Sequence, residues 1–206
     1  MKQYLVKFPL RLIFHPFEGF WDLKYENKGK VRAGIIILIA LMIVMIVNRQ
    51  YSGFLVNYYD PLTMNSLNEI KYILVPFALW CVSNWSVTTL MDGEGKFKDI
   101  FLASAYSLVP IILIILPLTL ISNVMTLEET AFYWLFNTVA LLWSLFLLFI
   151  GTMTVHQYTA GKTVATMALT VVVAMIIVFL TMLMFSLIQQ MIDFGYNVYR
   201  EIIFRL

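Results

Sequence analysis

Five stretches of roughly 17 to 28 residues are apolar and almost free of charged side chains, and this feature limits the fold more than any other. They run from about Val31 to Val47, Tyr72 to Met91, Ile100 to Ile121, Ala131 to Val155 and Thr163 to Gln190. A hydrocarbon core about 30 Å thick is crossed by roughly 20 helical residues, so each stretch is long enough to span a bilayer. None shows the period-two alternation of a barrel strand, which leaves helices. The chain is 61% hydrophobic and 13% charged, with a mean hydropathy of +0.85. Soluble domains run at about 45–50% and 25%, and a soluble monomer could not hide this much apolar surface. A soluble enzyme, a disulfide-stapled secreted domain and a disordered tail are excluded on the same ground. The expected fold class is an all-α integral membrane protein, a five-transmembrane-helix bundle with amphipathic interfacial segments at both ends.

The longest connection is Asn48 to Lys71, while Asp92 to Asp99, Ser122 to Thr130 and His156 to Lys162 are tight. Short links make consecutive helices antiparallel neighbours, so residues 1–206 are expected to form one bundle domain. With five spans, one face collects Lys2, Lys7, Arg11, Lys24, Lys28, Lys30, Arg32, Lys96, Lys98 and Lys162, and the other only Arg49, Lys71, Arg200 and Arg205. Ten cations against four place the N-terminus in the cytoplasm and the C-terminus outside, in a cytoplasmic (inner or cell) membrane. The first run is not read as a cleavable signal, because about 30 residues with prolines precede it.

Residues 1–30 form a segment suited to the headgroup boundary, where Tyr4, Leu5, Phe8, Phe14, Phe17, Phe20 and Trp21 alternate with Lys2, Lys7, Arg11 and Lys24. Pro16 can open a helix after His15, and Glu18, Asp22 and Glu26 then line one face at four-residue spacing. That acidic ridge reads as the wet side of an interfacial helix, with partner binding as the functional alternative. At the other end, residues 191–206 place Phe194, Val198 and Ile202 among Asp193, Asn197, Arg200 and Glu201, so the fifth helix is expected to continue outward as an amphipathic segment.

Chemistry is scarce. No ionisable group stands in the middle of any span, which disfavours an ion-coupled transporter. The interior polar residues Asn84, Ser104, Tyr106, Ser107, Asn137, Ser144, Thr170, Thr181 and Ser186 read as hydrogen-bonding links between helices rather than as a ligand site. There is no G-x-S-x-G and no H-E-x-x-H, and the only histidines, His15 and His156, form a poor zinc frame and read as interfacial. Cys81 is the sole cysteine and reads as a buried small hydrophobe. Gly161-Lys162-Thr163 and Asp92-Gly93-Glu94-Gly95-Lys96 fail as phosphate loops, because His156 stands where the first needs glycine and Phe97 where the second needs Ser or Thr. Asp92, Glu94 and Asp99 make a weak calcium cage. No cofactor, metal site or catalytic residue is expected, nor is nucleic-acid binding. Pro76, Pro110 and Pro117 lie inside spans, where each removes a backbone hydrogen bond and invites a bend.

The segment Asp92 to Pro110, DGEGKFKDIFLASAYSLVP, resembles the Yip1 domain family. There a glycine-bearing cytoplasmic turn leads into a third span that carries a small residue, Tyr-Ser and then proline, here Ala105, Tyr106, Ser107 and Pro110. His15 to Gly34, HPFEGFWDLKYENKGKVRAG, is similar to the segment that leads into the first span of bacterial members. The resemblance implies a non-enzymatic multi-span protein that works by association. Eukaryotic relatives associate with one another and with prenylated Rab GTPases through a long acidic N-terminal region carrying a Leu-Tyr/Trp-Gly-Pro motif. The short segment here lacks that motif, which weighs against Rab-type GTPase binding.

The expected function is therefore association with partner proteins, or organisation of lipid, at the cytoplasmic rim. Membrane lipids and other membrane proteins, a second copy included, are the expected partners. The candidate contact surface is His15, Pro16, Glu18, Trp21 and Asp22 together with Asp92, Gly93, Gly95 and Lys96. Tyr106, Ser107 and Pro110 are the candidate helix-shaping residues. The rival reading is an accessory subunit or conduit of a transport system for a neutral or lipid substrate.

Overall fold

A computed structural model describes residues 7–26, 28–57 and 65–205, and the chain is helical almost throughout these. Lys2, Tyr4, Leu5 and Leu206, which entered the sequence argument, lie outside the described residues. Two short helices, α1 (Phe8–Phe14) and α2 (Pro16–Tyr25), precede α3 (Val31–Tyr51) and α4 (Ser66–Leu90). The third apolar run is divided into α5 (Phe97–Ser107) and α6 (Val109–Ile121), and α7 (Thr130–His156) and α8 (Ala160–Arg205) follow. Five helical stretches are long and apolar enough to cross a membrane, with α5 and α6 counted as one.

Most apolar runs are longer as helices than their uncharged length, and side-chain caps start two of them. Asn65 caps α4 by accepting the Leu67 N–H at 3.0 Å, and Asp99 reaches back to the Lys96 N–H at 3.1 Å to start α5. Pro76 and Pro117 are accommodated within continuous α4 and α6. Pro110 coincides with a break, since α5 ends at Ser107 and α6 begins at Val109 with proline in its first turn. The missing proline N–H leaves the helix unable to continue its ladder at that point.

The α5–α6 span is the most buried of the five and packs on α3, α4 and α7. The main core gathers Phe8 and Leu12 of α1, Phe20 and Leu23 of α2, Ile37 of α3, Leu102 and Tyr106 of α5, and Leu147 and Ile150 of α7. The two N-terminal helices thus belong to the core rather than trailing from it. Gly19 permits their hairpin, since a Cβ there would stand 2.8 Å from the Leu12 Cα. Cys81 is buried.

The two ends of the bundle are held by different chemistry. At one end lie α2, the α4–α5 turn and the α7–α8 turn, here called the N-terminal face. At the other, Asn48 Nδ2 donates towards Thr119 Oγ1 at 2.8 Å, Ser52 Oγ at 3.1 Å and Tyr133 Oη at 3.2 Å, joining α3, α6 and α7. Gly53 N–H donates to Ser122 Oγ at 2.9 Å, and a Cβ on Gly53 would meet the Ser122 carbonyl oxygen at 2.1 Å.

Helix α8 runs 46 residues, about 69 Å at about 1.5 Å per residue. Its first turns pack on α4 through Thr163, Thr166 and Thr170, all fully buried, and Asn84 Nδ2 donates to Thr170 Oγ1 at 3.2 Å. Small polar residues let the two backbones approach, as between membrane helices in general. Every described residue from Val178 to Phe204 is exposed.

Candidate functional site

The N-terminal face is built on two helix ends that close in the same way. Helix α4 ends with Asp92 in the left-handed region (φ 55°) and the Gly93 N–H bonded to the Thr88 carbonyl at 2.8 Å. Helix α7 ends with Gln157 at φ 56° and the Tyr158 N–H bonded to the Met153 carbonyl at 3.0 Å. Both are Schellman closures, but neither uses glycine at the left-handed position. The glycines of the α4–α5 turn answer a different need. A Cβ on Gly93 would stand 2.5 Å from His156 Nδ1 and 2.7 Å from Tyr158 Oη, and one on Gly95 would stand 2.5 Å from Val155 Cγ1 and 2.7 Å from His156 Cε1. The turn therefore lies flat on the end of α7, where only glycine fits.

Beneath it His156 is 2% exposed, not interfacial as its sequence position suggested. Its ring stacks on Tyr158 with centroids 5.3 Å apart, and its Nδ1 accepts the Gly95 N–H at 3.3 Å. That acceptor role puts the proton of a neutral imidazole on Nε2, which has no hydrogen-bond partner among the described residues. Tyr158 Oη donates to the Met91 carbonyl at 3.0 Å, tying the α7–α8 turn to the end of α4. Burial, and then the negative charge of Asp92, push the Tyr158 pKa above its ordinary 10.0, so the hydroxyl stays a donor across the physiological range.

Helix α2 is latched onto this platform. Lys24 Nζ lies 3.1 Å from Glu94 Oε2 and 3.0 Å from Tyr25 Oη, and Gln157 Nε2 donates to Tyr25 Oη at 2.9 Å. Burial opposes the Lys24 charge, yet its hydrogen bonds to Tyr25 and Glu94 hold its pKa above 10.5. The two candidate contact segments are thereby joined through Lys24, Tyr25, Glu94 and Gln157; sequence offered Lys24 only as a rim cation and Glu94 only as a weak calcium ligand, and did not single out Tyr25 or Gln157. They are 69 to 132 residues apart in the relevant pairs, and no local pattern marks them.

Among the candidate residues, His15 is exposed and links α1 to α2, with its carbonyl accepting the Gly19 N–H at 2.9 Å, and Pro16 is the first residue of α2. Glu18 is exposed and pairs with Arg11 at 3.1 Å, and Trp21 is half exposed and stacks on Tyr25 at 4.3 Å. Asp22 departs from the expected wet ridge. It is 8% exposed, because α1 folds against α2 at this point, and Lys28 Nζ neutralises it at 2.8 Å. Asp92 and Lys96 are exposed at the rim, with Gly93 and Gly95 half-buried between them. Of the three carboxylates weighed for calcium, Glu94 is held by Lys24 and Asp99 by its own helix cap.

Tyr106 and Ser107 sit far from this platform, inside the core. Ser107 Oγ donates to the Ala103 carbonyl at 2.7 Å. Tyr106 is fully buried, meets Phe8 edge to face at 5.6 Å, and has no partner for its hydroxyl among the described residues. Pro110 begins the next helix. On either side of Pro76 and Trp80 the membrane-spanning surface is grooved, with about 360 Å³ towards Ser104 and Leu108 and about 440 Å³ towards Val171 and Phe179 of α8.

Compared with known protein families, the chain matches the Yip1 domain over residues 10–182, from within α1 to the middle of α8. No curated protein and no solved structure matches it.

Proposed function

The chain belongs to the Yip1 domain family and is a multi-pass membrane protein, and from that premise we propose that it acts without covalent chemistry, by associating with proteins or organising lipid at its N-terminal face. The observation that supports this reading best is the latch joining α2 to both turns through Lys24, Tyr25, Glu94 and Gln157. It makes three separate segments one surface, with Phe14, Phe17 and Trp21 exposed beside it. The spans behind it carry no ionisable group at mid-depth, so what the molecule presents for recognition is concentrated at the rim. The excess of Lys and Arg on this face supports a cytoplasmic N-terminus and an outward C-terminus in a cytoplasmic membrane.

Purification in mild detergent, with mass spectrometry of retained proteins and lipids, tests this. Specific retention that is lost in Lys24→Glu, alongside altered liposome shape on reconstitution, is the expected result. A lone monomer that leaves liposomes unchanged would remove the basis for it. The apolar grooves flanking Pro76 and Trp80 favour a second reading, a conduit for a neutral or lipid substrate or an accessory subunit of one. Flux by the purified protein in proteoliposomes would select that reading.

A further inference from the structure

We propose that the α1–α2 hairpin binds the headgroup of a membrane phospholipid that carries a phosphate and a primary amine, the phosphatidylethanolamine class. The inference rests on the reading that the N-terminal face works at the lipid boundary, and it names the lipid. An open surface depression of about 420 Å³ lies along α2 where α1 meets it, lined by Arg11 of α1 and by Phe17, Glu18, Trp21 and Asp22 of α2. Arg11 spans it, with its guanidinium 3.1 Å from Glu18 and 4.0 Å from Asp22.

The depth of the hairpin is fixed by its contacts. Phe8 meets Tyr106, nine residues into the third span, which is about 13 Å from Phe97 at about 1.5 Å per residue. Phe20 lies against Gly151, five residues before the end of α7, which is about 8 Å by the same rise. Tyr25 reaches the rim at Gln157. The hairpin thus lies about 8–13 Å in from the helix ends on this face, near the depth at which interfacial helices sit, about 5–10 Å into the boundary. Phe14, Phe17 and Trp21 turn outward there, 71%, 57% and 49% exposed, as suits contact with acyl chains and the aromatic belt.

The charges then select the headgroup. Lys28 Nζ is shared between Asp22 and Glu26, and Arg11 and Glu18 form a pair of opposite sign, more than half exposed on each side. A phosphate can replace Glu18 on the planar guanidinium, where two parallel hydrogen bonds form. Glu18, released, accepts from an ammonium group. A primary ammonium brings three N–H donors to this site, whereas choline brings none. An anionic headgroup without an amine would leave the displaced Glu18 with no cation to accept from.

The test is native mass spectrometry of the full chain released from nanodiscs of equal phosphatidylethanolamine, phosphatidylcholine and phosphatidylglycerol. The expected result is retention of the ethanolamine lipid about tenfold over each competitor. Arg11→Gln and Glu18→Gln should each bring the ratios close to one, while Arg11→Lys keeps a preference, and melting midpoints report that the variants remain folded. Equal retention of the three lipids, or a preference that survives the double Arg11→Gln/Glu18→Gln variant, would overturn the assignment. So would displacement of the lipid by an equal concentration of soluble glycerophosphoethanolamine, which would make the free headgroup the ligand. If lipid selectivity is absent while protein retention still depends on Lys24, the lipid assignment falls and the broader function stands.

Discussion

Gly93→Ala places a methyl group against the most crowded point of the N-terminal face. The new Cβ would stand 2.5 Å from His156 Nδ1, 2.7 Å from Tyr158 Oη and 2.9 Å from Thr88 Cβ. His156 and Thr88 are 2% and 1% exposed, so neither can move into open space. Overpacking of this kind costs about 1–3 kcal/mol. Displacing the turn also strains the Gly95-to-His156 and Tyr158-to-Met91 hydrogen bonds, each worth about 1 kcal/mol net. A total loss of about 2–4 kcal/mol is expected, and at about 2–4 °C per kcal/mol for a chain of this size the melting midpoint falls by roughly 5–15 °C. The assay is thermal unfolding in mild detergent, followed by the monodisperse fraction on size exclusion. Gly161→Ala is the matched control, because nothing lies within 4 Å of a Cβ there. His156→Ala supplies a stronger check, since it removes the ring that the methyl strikes. The double variant Gly93→Ala/His156→Ala should be more stable than the sum of the single effects by about 1–2 kcal/mol. Equal midpoints for the Gly93 and Gly161 variants, or strict additivity in the double variant, would refute the packing argument.

Tyr106→Phe removes a buried hydroxyl that has no partner among the described residues, so stability should be unchanged or higher by about 1 kcal/mol; a clear loss in detergent unfolding would show that the hydroxyl is hydrogen-bonded. Tyr158 has a folded pKa above the unfolded one, so its contribution is complete below about pH 10 and is lost as pH rises through the folded value. Tyr158→Phe should cost about 1 kcal/mol at neutral pH and should narrow that gap above pH 10, where wild type declines more steeply, as read from unfolding midpoints across an alkaline series. Asn48→Ala cuts the links to Ser52, Thr119 and Tyr133 and should cost about 1–2 kcal/mol, at roughly 0.6 kcal/mol per membrane hydrogen bond, measured by the same unfolding assay.

Much of the scaffold could be read from the chain because a bilayer makes helix length and apolarity nearly sufficient. The apolar runs became helices, and the residues added at their ends follow from caps such as Asn65 and Asp99. The break at Leu108 follows from Pro110, although sequence showed one run with a bend rather than two helices. The platform was less legible, because its parts meet only in three dimensions. Gly95 and His156 are 61 residues apart, and Lys24 and Glu94 are 70 apart. Helical spacing put Asp22 on the same face as Glu18 and Glu26, and it was the fold of α1 over α2, enabled by Gly19, that buried it. In the α4–α5 turn Asp92 takes the left-handed position, and Gly93 and Gly95 supply space against the end of α7, which sequence alone does not show.

Photo-crosslinking in native membranes tests the location of function most directly. A photoreactive side chain is placed singly at His15, Trp21 and Lys96 on the N-terminal face and at Val124 and Leu127 on the opposite face, where Val124 and Leu127 are 82% and 71% exposed. The account predicts discrete protein or lipid adducts at the first three positions and only diffuse background at the last two. Discrete adducts confined to Val124 and Leu127 would contradict it.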